Sequence, residues 1–372
     1  MILLDSVRRR MKVLRLLWFV LLLGTGSLLL LLVHLQDQTN TELQQNPGVQ
    51  MMEALRCPVE KDISLLASLS PDLLPGNKPP VTTRHRKLLK SVPPGGVEAL
   101  QESRRRLLAD ICTRYQPGAA EQPVSRRQVS RVYVEDRSRL LYCEVPKAGC
   151  SNWKRILMVL GGSARSTSDI PHDAAHYGNC LRRLESFSPA GIAHRLQSYT
   201  KVLFVREPFE RLVSAFRDKF ESPNSYYHPV FGRAIISRYR ANATRTALRT
   251  GTGVTFREFV RYLLDVRRPV GLDIHWEPVT QLCSPCRLRY DFIGKFESLK
   301  EDASFLLRHI GAPDNLTFPD LKDRNPLAER TSSSITWSYF SQLNPTERQK
   351  VFDFFYMDYL MFNYPKPFSD LL

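Results

Sequence analysis

Motifs for metal-dependent chemistry are scarce in this chain of 372 residues. No Asp-x-Asp sequence occurs, which argues against the glycosyltransferases that hold a nucleotide sugar through metal-bound aspartates. Cys283 and Cys286 have zinc-ligand spacing, but no second cysteine pair matches them. A zinc site is therefore disfavoured. A structural disulfide, within this pair or to other cysteines, is the favoured interpretation.

Acidic residues are also few. The chain has 37 Asp and Glu against 53 Lys and Arg, a net charge of +16 at pH 7. Such a surplus is common in proteins that bind nucleic acid or other polyanions. The membrane topology predicted below places most of the chain in a lumen that holds no nucleic acid. We therefore attribute the charge to a nucleotide donor, to anionic glycans and to solvated surface.

One long segment carries no charge at all. Residues 16–33 read LLWFVLLLGTGSLLLLLV, and as a helix they span about 27 Å, enough to cross a bilayer core. A cleaved signal peptide has a shorter apolar region and a small-residue cleavage site. Basic residues precede the segment, and Asp37 and Glu42 follow it. The positive-inside rule then predicts a single-pass type II membrane protein with its catalytic part in the lumen.

The predicted organisation has four parts. These are a cytosolic tail over residues 1–15, a transmembrane signal-anchor over 16–35, a luminal stem over 36–129 and a catalytic domain over 130–372. The stem is rich in proline and basic residues and serves as a tether, although the spacing at 97–112 suits a short helix. Asn242 and Asn315 begin glycosylation sequons that are usable in a lumen, where disulfides also persist.

Strand, polar turn and helix follow one another twice in the catalytic domain. Residues 138–145 and 201–205 are apolar runs typical of buried strands, and residues 151–160 and 209–220 carry helical apolar faces. Farther on, residues 255–258 form a capping box, and residues 290–299 contain another short strand. The alternation predicts an α/β fold with a mostly parallel sheet flanked by helices. In such sheets ligands bind at the carboxyl ends of the strands.

The first polar turn is a candidate anion site of unusual type. It is not a Walker A loop, because Lys147 precedes Gly149 and only one glycine is present. Nor does it fit a Cys-x5-Arg phosphatase loop, since only four residues separate Cys150 from Arg155. What it offers is a cation and free backbone N–H groups at a helix N-terminus.

Further donors complete the candidate site. Ser151 and Asn152 add side-chain donors to the first turn, and the second turn supplies Arg206, Arg211 and Ser214. Two cationic turns on neighbouring strand ends suit a ligand with two separated anionic groups.

These turns resemble those of a known family. Residues 146–155, PKAGCSNWKR, are similar to the 5′-phosphosulfate loop of Golgi carbohydrate sulfotransferases, and residues 206–214, REPFERLVS, resemble their 3′-phosphate site. The resemblance runs from about residue 131 to the C-terminus. It is closest to the branch with chondroitin, dermatan and N-acetylgalactosamine 4-O-sulfotransferases. Residues 144–155, 217–232 and 354–368 look most like the enzymes that act on terminal N-acetylgalactosamine of glycoprotein glycans.

The resemblance implies a P-loop-like sulfotransferase fold, a Golgi location and 3′-phosphoadenylyl sulfate as the sulfate donor, without a metal. Lys147 would stabilise the leaving group, Arg206 and Ser214 would grip the 3′-phosphate, and Arg211 would support them. Glu207 and Glu210 would order the arginines. The implied donor-binding residues are Pro146, Lys147, Ala148, Gly149, Cys150, Ser151, Asn152, Arg206, Glu207, Pro208, Phe209, Glu210, Arg211, Leu212, Val213 and Ser214.

The acceptor hydroxyl also needs a base. His176 matches a histidine of the family pattern, and an imidazole suits a mildly acidic lumen. His275 is the second candidate, although its segment could instead bind the sugar by stacking on Trp276. His172 and His194 have weaker claims. Chondroitin or dermatan remains an alternative acceptor, and a Golgi glycosyltransferase or a noncatalytic lectin is the alternative class.

Overall fold

The computed structural model describes residues 96–320 and 329–371. The predicted cytosolic tail, the signal-anchor and most of the stem lie outside these residues. Within the described part of the chain, no helix is both long enough and apolar enough to span a bilayer.

A five-stranded sheet lies at the centre of the described residues. Its strands are β1 Val132–Glu135, β2 Leu140–Cys143, β3 Arg182–Arg183, β4 Thr200–Val205 and β5 Phe292–Lys295. Their order across the sheet is β3-β1-β2-β4-β5. β2, β4 and β5 run parallel, with Cys143 opposite Leu203 and Val205 opposite Lys295. β1 pairs antiparallel with β2 and with β3.

The α/β fold is confirmed, but the prediction of a mostly parallel sheet is wrong for one half of it. Only residues 136–139 connect β1 to β2. So short a connection can form only a hairpin, whereas parallel neighbours need a crossover of about a dozen residues or more. The helical crossovers that lead to β4 and β5 supply that length. The sheet is therefore mixed, and its parallel half carries both polar turns.

Helices cover the sheet. In chain order they are α1 Val97–Tyr115, α2 Arg126–Val129, α3 Cys150–Leu160, α4 His172–His176, α5 Pro189–Ser198, α6 Pro208–Phe216, α7 Arg233–Tyr239, α8 Arg245–Thr250, α9 Phe256–Leu264, α10 Val279–Cys283, α11 Pro285–Leu288, α12 Leu299–His309, α13 Ser333–Phe340, α14 Pro345–Phe354 and α15 Tyr356–Met361. Short 3-10 turns are Ala119–Glu121, Thr167–Asp169, Leu184–Ser186 and Phe296–Ser298, and π-helical turns are Arg217–Glu221 and His228–Gly232.

The elements next to the polar turns form where the apolar patterns predict them. α3 and α6 follow β2 and β4, and α6 continues into the π-helical turn Arg217–Glu221. The predicted capping box of α9 is present: Thr255 accepts from the N–H of Glu258, whose carboxylate accepts from the N–H of Thr255. Both faces of the sheet are buried, because Leu141 and Leu140 of β2 belong to hydrophobic clusters on opposite sides.

Part of the sequence assigned to the stem belongs to this compact body. α1 lies beside the edge strand β5, where the side-chain amide of Gln101 exchanges two hydrogen bonds with the backbone of Ile293, both 3.0 Å long. A disulfide joins Cys112 of α1 to Cys286. A second one joins Cys143 of β2 to Cys283. The expected structural disulfides are confirmed, and they run to other cysteines rather than within the Cys-x-x-Cys pair.

Candidate functional site

The structure brings the two polar turns together. They follow β2 and β4, which are parallel neighbours, so both turns leave the carboxyl ends of strands at one edge of the sheet. Arg206 donates from Nη1 to the carbonyl of Lys147 at 3.3 Å. Arg211 donates from Nε to the carbonyl of Pro146 at 3.0 Å. The second turn therefore holds the first one directly.

The first turn ends as the N-terminus of α3. Lys147 and Gly149 have left-handed φ angles of 71° and 87°, and Gly149 is the N-cap residue. A Cβ atom at Gly149 would lie 3.2 Å from a methyl group of Leu299 and 3.4 Å from the ring of Phe318. Glycine is thus favoured by both conformation and space. The first N–H groups of a helix have no intrahelical acceptor, so residues 149–152 are a candidate terminus for binding an anion.

Other groups of the first turn already have hydrogen-bond partners or are buried. The side-chain amide of Asn152 donates to the carbonyl of Pro319 at 2.8 Å. The N–H of Ala148 donates to the carbonyl of Val145 at 3.3 Å. Cys150 is a buried free thiol, and burial raises its pKa. Cys150 and Asn152 can therefore contribute to a ligand through their backbone at the helix terminus rather than their side chains, whereas the N–H of Ala148 already has an acceptor.

His176 lies beside α3. Its Nε2 is 2.8 Å from Oγ of Ser151, and its Nδ1 is 3.4 Å from Nζ of Lys154. Lys154 also approaches Glu144, with 2.5 Å between Nζ and Oε1. Burial opposes the charge on this amine, but the carboxylate of Glu144 raises the pKa of Lys154 overall. His172 packs against His176 with 4.4 Å between ring centres.

Arg206 is the clearest anion-binding side chain in the second turn. It is 4% exposed, and Nη2 donates to the carbonyl of Thr331 at 2.6 Å. Its guanidinium carbon lies 4.3 Å from the ring centre of Phe296. Burial lowers its pKa, against the opposing charge of Glu210. Its Nε is buried without a hydrogen-bond partner, and a buried, unpaired guanidinium N–H is a strong donor for an anion.

Arg211 has a different role. It is fully buried, and its three nitrogens donate to the backbone carbonyls of Pro146 at 3.0 Å, Glu277 at 2.8 Å and Ile274 at 2.9 Å. Burial lowers the pKa of Arg211 to about 10. Because each nitrogen already donates to a backbone carbonyl and the side chain is buried, this arginine positions chain segments rather than contacting a ligand.

The remaining residues predicted in the second turn divide by burial. The side chains of four of them are buried, so they position α6 rather than contact a ligand: Pro208, Phe209, Leu212 and Val213. Glu207 caps α6 by accepting from the N–H of Glu210 at 2.6 Å, and burial raises its pKa to about 7. Ser214 is half-buried on α6.

The side chain of Lys147 has a partner that the sequence did not reveal. Its Nζ lies 3.3 Å from Oδ2 of Asp218, and Nζ of Lys219 lies 3.0 Å from the same oxygen. Burial lowers the pKa of Lys147, while the charge of Asp218 raises it. Asp218 lies in the π-helical turn after α6, and no motif in the sequence marks it as part of the site.

His275 belongs to a second polar cluster. Its Nδ1 is 2.5 Å from Oδ1 of Asp273 and 2.9 Å from the hydroxyl of Tyr227. Burial lowers the pKa of His275 to about 4. The proposed sugar stacking on Trp276 is wrong, because that ring is 0% exposed and packs against Phe259 with 5.3 Å between ring centres. The Asp-Ile-His spacing at 273–275 is a local signal for this cluster that sequence reasoning missed.

The other predicted positions lie elsewhere. His194 packs near Tyr199, just before the amino end of β4 and so at the edge opposite the two turns. Asn242 and Asn315 are exposed, and their glycosylation stays a prediction. Among residues 96–320 and 329–371, no group of three or more His, Cys, Asp and Glu side chains is arranged to hold a metal ion.

Comparisons with known proteins identify sulfotransferases. The model of the sulfotransferase family matches residues 130–365. Carbohydrate sulfotransferase 8 of Mus musculus is 51% identical over 401 aligned residues, which cover 95% of this chain and 96% of that protein. Carbohydrate sulfotransferase 9 of Homo sapiens is 58% identical over 271 residues, covering 73% and 61%. Carbohydrate sulfotransferase 11 of Rattus norvegicus is 39% identical over 274 residues, covering 72% and 77%. No solved structure matches the chain significantly.

A mixed α/β sheet with two joined cationic turns at its carboxyl edge suits a protein that binds a ligand with anionic groups. Within that class the comparisons single out one family. The chain belongs to the sulfotransferase family. The predicted resemblance and the predicted enzyme class are therefore confirmed, and the chain is a sulfotransferase.

Proposed function

We propose that the chain transfers sulfate from 3′-phosphoadenylyl sulfate to the 4-hydroxyl of N-acetylgalactosamine at the non-reducing end of glycoprotein glycans. Relatives named carbohydrate sulfotransferases, at 51% and 58% identity, support a carbohydrate acceptor. The 4-position and the terminal sugar are supported by the resemblance of residues 144–155, 217–232 and 354–368 to the N-acetylgalactosamine-specific enzymes. The donor is supported above all by the contact between Arg206 and the turn of Lys147.

The residues present fit such a donor. The terminus of α3 at residues 149–152 offers backbone N–H groups for the 5′-phosphate. Arg206 offers a buried, unpaired Nε for the 3′-phosphate, and half-buried Ser214 lies two turns into α6, the helix that follows Arg206. Because the guanidinium of Arg206 also binds the carbonyl of Lys147, the two phosphate positions are held at a defined separation.

Lys147 is the group that acts on the leaving phosphate. Charge accumulates on the bridging oxygen as the sulfuryl group departs, so an ammonium placed there lowers the barrier. Asp218 holds Nζ of Lys147 at 3.3 Å, which limits the positions that the side chain occupies. Transfer of a sulfuryl group needs little covalent help from the protein, and positioning supplies much of the rate. The acceptor hydroxyl gives its proton to a histidine, for which His176 and His275 are the candidates.

The proposed location is the Golgi membrane, with a type II topology and a luminal catalytic domain. The uncharged segment at 16–33 and the basic residues before it support this topology. Two disulfides among the described residues agree with an oxidising compartment. So do the exposed sequon residues Asn242 and Asn315.

The donor assignment is tested by retention of the purified full-length chain on immobilised adenosine 3′,5′-bisphosphate. Lys147→Ala and Arg206→Ala should weaken retention, each by about tenfold or more, since each removes a charged donor. Arg245→Ala, at an exposed position on α8, is the matched control and should be retained like the wild type. Unchanged retention of both site variants would contradict the assigned donor site.

The acceptor is tested by sulfate transfer from labelled donor to three acceptors side by side. These are a glycan ending in β-linked N-acetylgalactosamine, desulfated chondroitin and desulfated dermatan. Label at the 4-position of the terminal sugar, lost in Lys147→Ala, supports the proposal. Label chiefly in chondroitin or dermatan, the second candidate acceptors from the family resemblance, would refute the terminal-sugar specificity and keep the donor.

A further inference from the structure

We propose that His275, held by Asp273, is the base that receives the acceptor proton, and that His176 instead positions the donor loop. This inference rests on the sulfate transfer proposed above. It does not depend on which sugar is the acceptor, because every hydroxyl acceptor has to lose its proton.

His176 has both ring nitrogens engaged. Lys154 keeps its proton beside Glu144, with 2.5 Å between Nζ and Oε1, and it can only donate to Nδ1 of His176, 3.4 Å away. In the neutral imidazole the proton is then on Nε2, which donates to Oγ of Ser151 at 2.8 Å. A histidine in this tautomer has no lone pair left for an acceptor hydroxyl. It fixes Ser151 at the terminus of α3 instead.

His275 has the opposite arrangement. The carboxylate of Asp273 lies 2.5 Å from Nδ1 of His275 and also accepts the backbone N–H of His275 at 3.0 Å. The hydroxyl of Tyr227 donates to the same carboxylate at 3.2 Å. An ionised carboxylate only accepts, so Nδ1 carries the proton and Nε2 keeps its lone pair. The side chains of His275 and Asp273 retain 19% and 17% exposure, so part of this pair is accessible from outside.

The backbone places His275 opposite Lys147. One guanidinium, that of Arg211, binds the carbonyl of Pro146, the residue before Lys147, and the carbonyl of Ile274, the residue before His275. The two side chains therefore leave neighbouring segments clamped by a single group. The disulfide from Cys143 to Cys283 also ties β2, which leads into the first turn, to α10, which follows the segment of His275. The positive charge of Lys147 acts on His275 and lowers its pKa, after burial and Lys219.

The reaction step uses these positions. The acceptor O–H gives its proton to Nε2 of His275 while its oxygen forms a bond to the sulfur. The bond from sulfur to the phosphate oxygen breaks, and its electron pair stays on the phosphate beside the ammonium of Lys147. Asp273 stabilises the imidazolium that forms, as a carboxylate paired to a histidine does in hydrolytic enzymes. His275 then releases the proton to solvent.

Burial and the nearby lysines keep the imidazole of His275 neutral before the reaction. The charged groups that act on His275 are Lys147, Lys219 and Asp273, and the hydroxyl of Tyr227 lies 2.9 Å from its Nδ1; Asp218 pairs with both lysines. Burial lowers the pKa of His275 to about 4, with the two lysines adding to this and Asp273 opposing it. At pH 6 to 7 the ring is therefore unprotonated and its lone pair is available. An anionic donor beside the lysines offsets their charge, which strengthens the base when the substrate is bound.

The test compares His275→Gln with His176→Gln in the full-length chain, using the acceptor that the wild type sulfates best. His275→Gln should lower kcat by about 100-fold or more and leave retention on adenosine 3′,5′-bisphosphate within about threefold. His176→Gln should raise KM for the donor more than it lowers kcat. The reverse pattern, with kcat lost only in His176→Gln, would overturn the proposal.

A second measurement does not use activity. In the protein labelled with ¹⁵N-histidine, long-range NMR correlations should show the Nδ1–H tautomer for His275 and the Nε2–H tautomer for His176. Asp273→Asn, which keeps the side-chain shape, should abolish the fixed tautomer of His275 and lower kcat with it. An Nε2–H tautomer on wild-type His275 refutes the inference. If the wild type sulfates no acceptor, the proposed function fails, and the tautomers alone then decide the geometry of His275.

Discussion

Replacing Arg211 with methionine tests how the two turns and the segment of His275 are held together. The change leaves three buried carbonyls, those of Pro146, Ile274 and Glu277, without their donor. At about 1–2 kcal/mol each, this costs roughly 3–6 kcal/mol. Burial of the guanidinium lowers its pKa to about 10, a desolvation cost of roughly 3 kcal/mol that methionine avoids. The expected net loss in the free energy of unfolding is about 2 kcal/mol.

Activity should fall further than stability. Without the guanidinium the carbonyls repel one another, and the backbone at Lys147 and His275 loses its common anchor. A displacement of about 1 Å between reacting groups is enough for a 100-fold loss of rate. We therefore expect sulfate transfer by Arg211→Met to drop about 100-fold under conditions where the variant is still more than nine-tenths folded. Urea unfolding and kcat on the same preparation measure the two quantities.

The matched control is Arg245→Met on the exposed face of α8. It removes the same side chain without touching a buried carbonyl, and should change stability by less than about 0.5 kcal/mol. If Arg211→Met unfolds like the control and transfers sulfate at the wild-type rate, the assignment of Arg211 as the common anchor is wrong. A loss of stability with full activity would show that the carbonyls are bound but that the reacting groups do not depend on them.

Three further changes probe other parts of the site. Burial raises the pKa of Glu207 to about 7 in the folded chain. Because the folded chain binds this proton more tightly than the unfolded chain, the free energy of unfolding should fall by about 2 kcal/mol between pH 5.5 and 7.5. In urea titrations Glu207→Gln should flatten this fall. Gly149→Ala should weaken retention on adenosine 3′,5′-bisphosphate and cost about 1–2 kcal/mol in unfolding, because φ is 87° there. Replacing both Cys112 and Cys286 with Ala removes the disulfide between them. With the Cys143–Cys283 disulfide still in place, the loop that this bond closes has roughly 34 residues, so its loss should cost about 3–4 kcal/mol in thermal unfolding.

Each of these has an outcome that contradicts it. Glu301→Gln, at an exposed position of α12, is the control for Glu207 and should leave the pH dependence as in the wild type; an equal slope in Glu207→Gln would remove Glu207 as its source. Full retention by Gly149→Ala would show that the turn tolerates a Cβ. A double cysteine variant as stable as the wild type would mean that α1 is held by its packing alone.

Local patterns predicted the elements that build the site. α3 and α6 follow from apolar spacing within ten or so residues, and the capping box of α9 from a spacing of three. The two cationic turns were also predicted, because they come directly after apolar strands and ligands bind at such strand ends. Their direct contact, Arg206 to the carbonyl of Lys147, needed the register of β2 against β4.

Errors arose where a property depends on residues far apart in the chain. The antiparallel half of the sheet follows from the tight connection of β1 to β2, which an apolar pattern does not show. The burial of Trp276 depends on the aromatic residues of α6, α9 and their neighbours packing around it. Disulfide partners depend on which Cα atoms come within about 6 Å of one another, so neighbouring Cys283 and Cys286 bond to distant cysteines.

The sequence by itself determined the family, the order of the elements near the turns and the residues proposed to bind phosphate, because these properties are carried by short stretches of chain. The tertiary structure alone decided which groups are available. It paired Lys147 with Asp218, gave every nitrogen of Arg211 a carbonyl, left Nε of Arg206 unpaired and gave His176 and His275 different partners. Burial and hydrogen bonding depend on all neighbours in space, and only folding determines those neighbours.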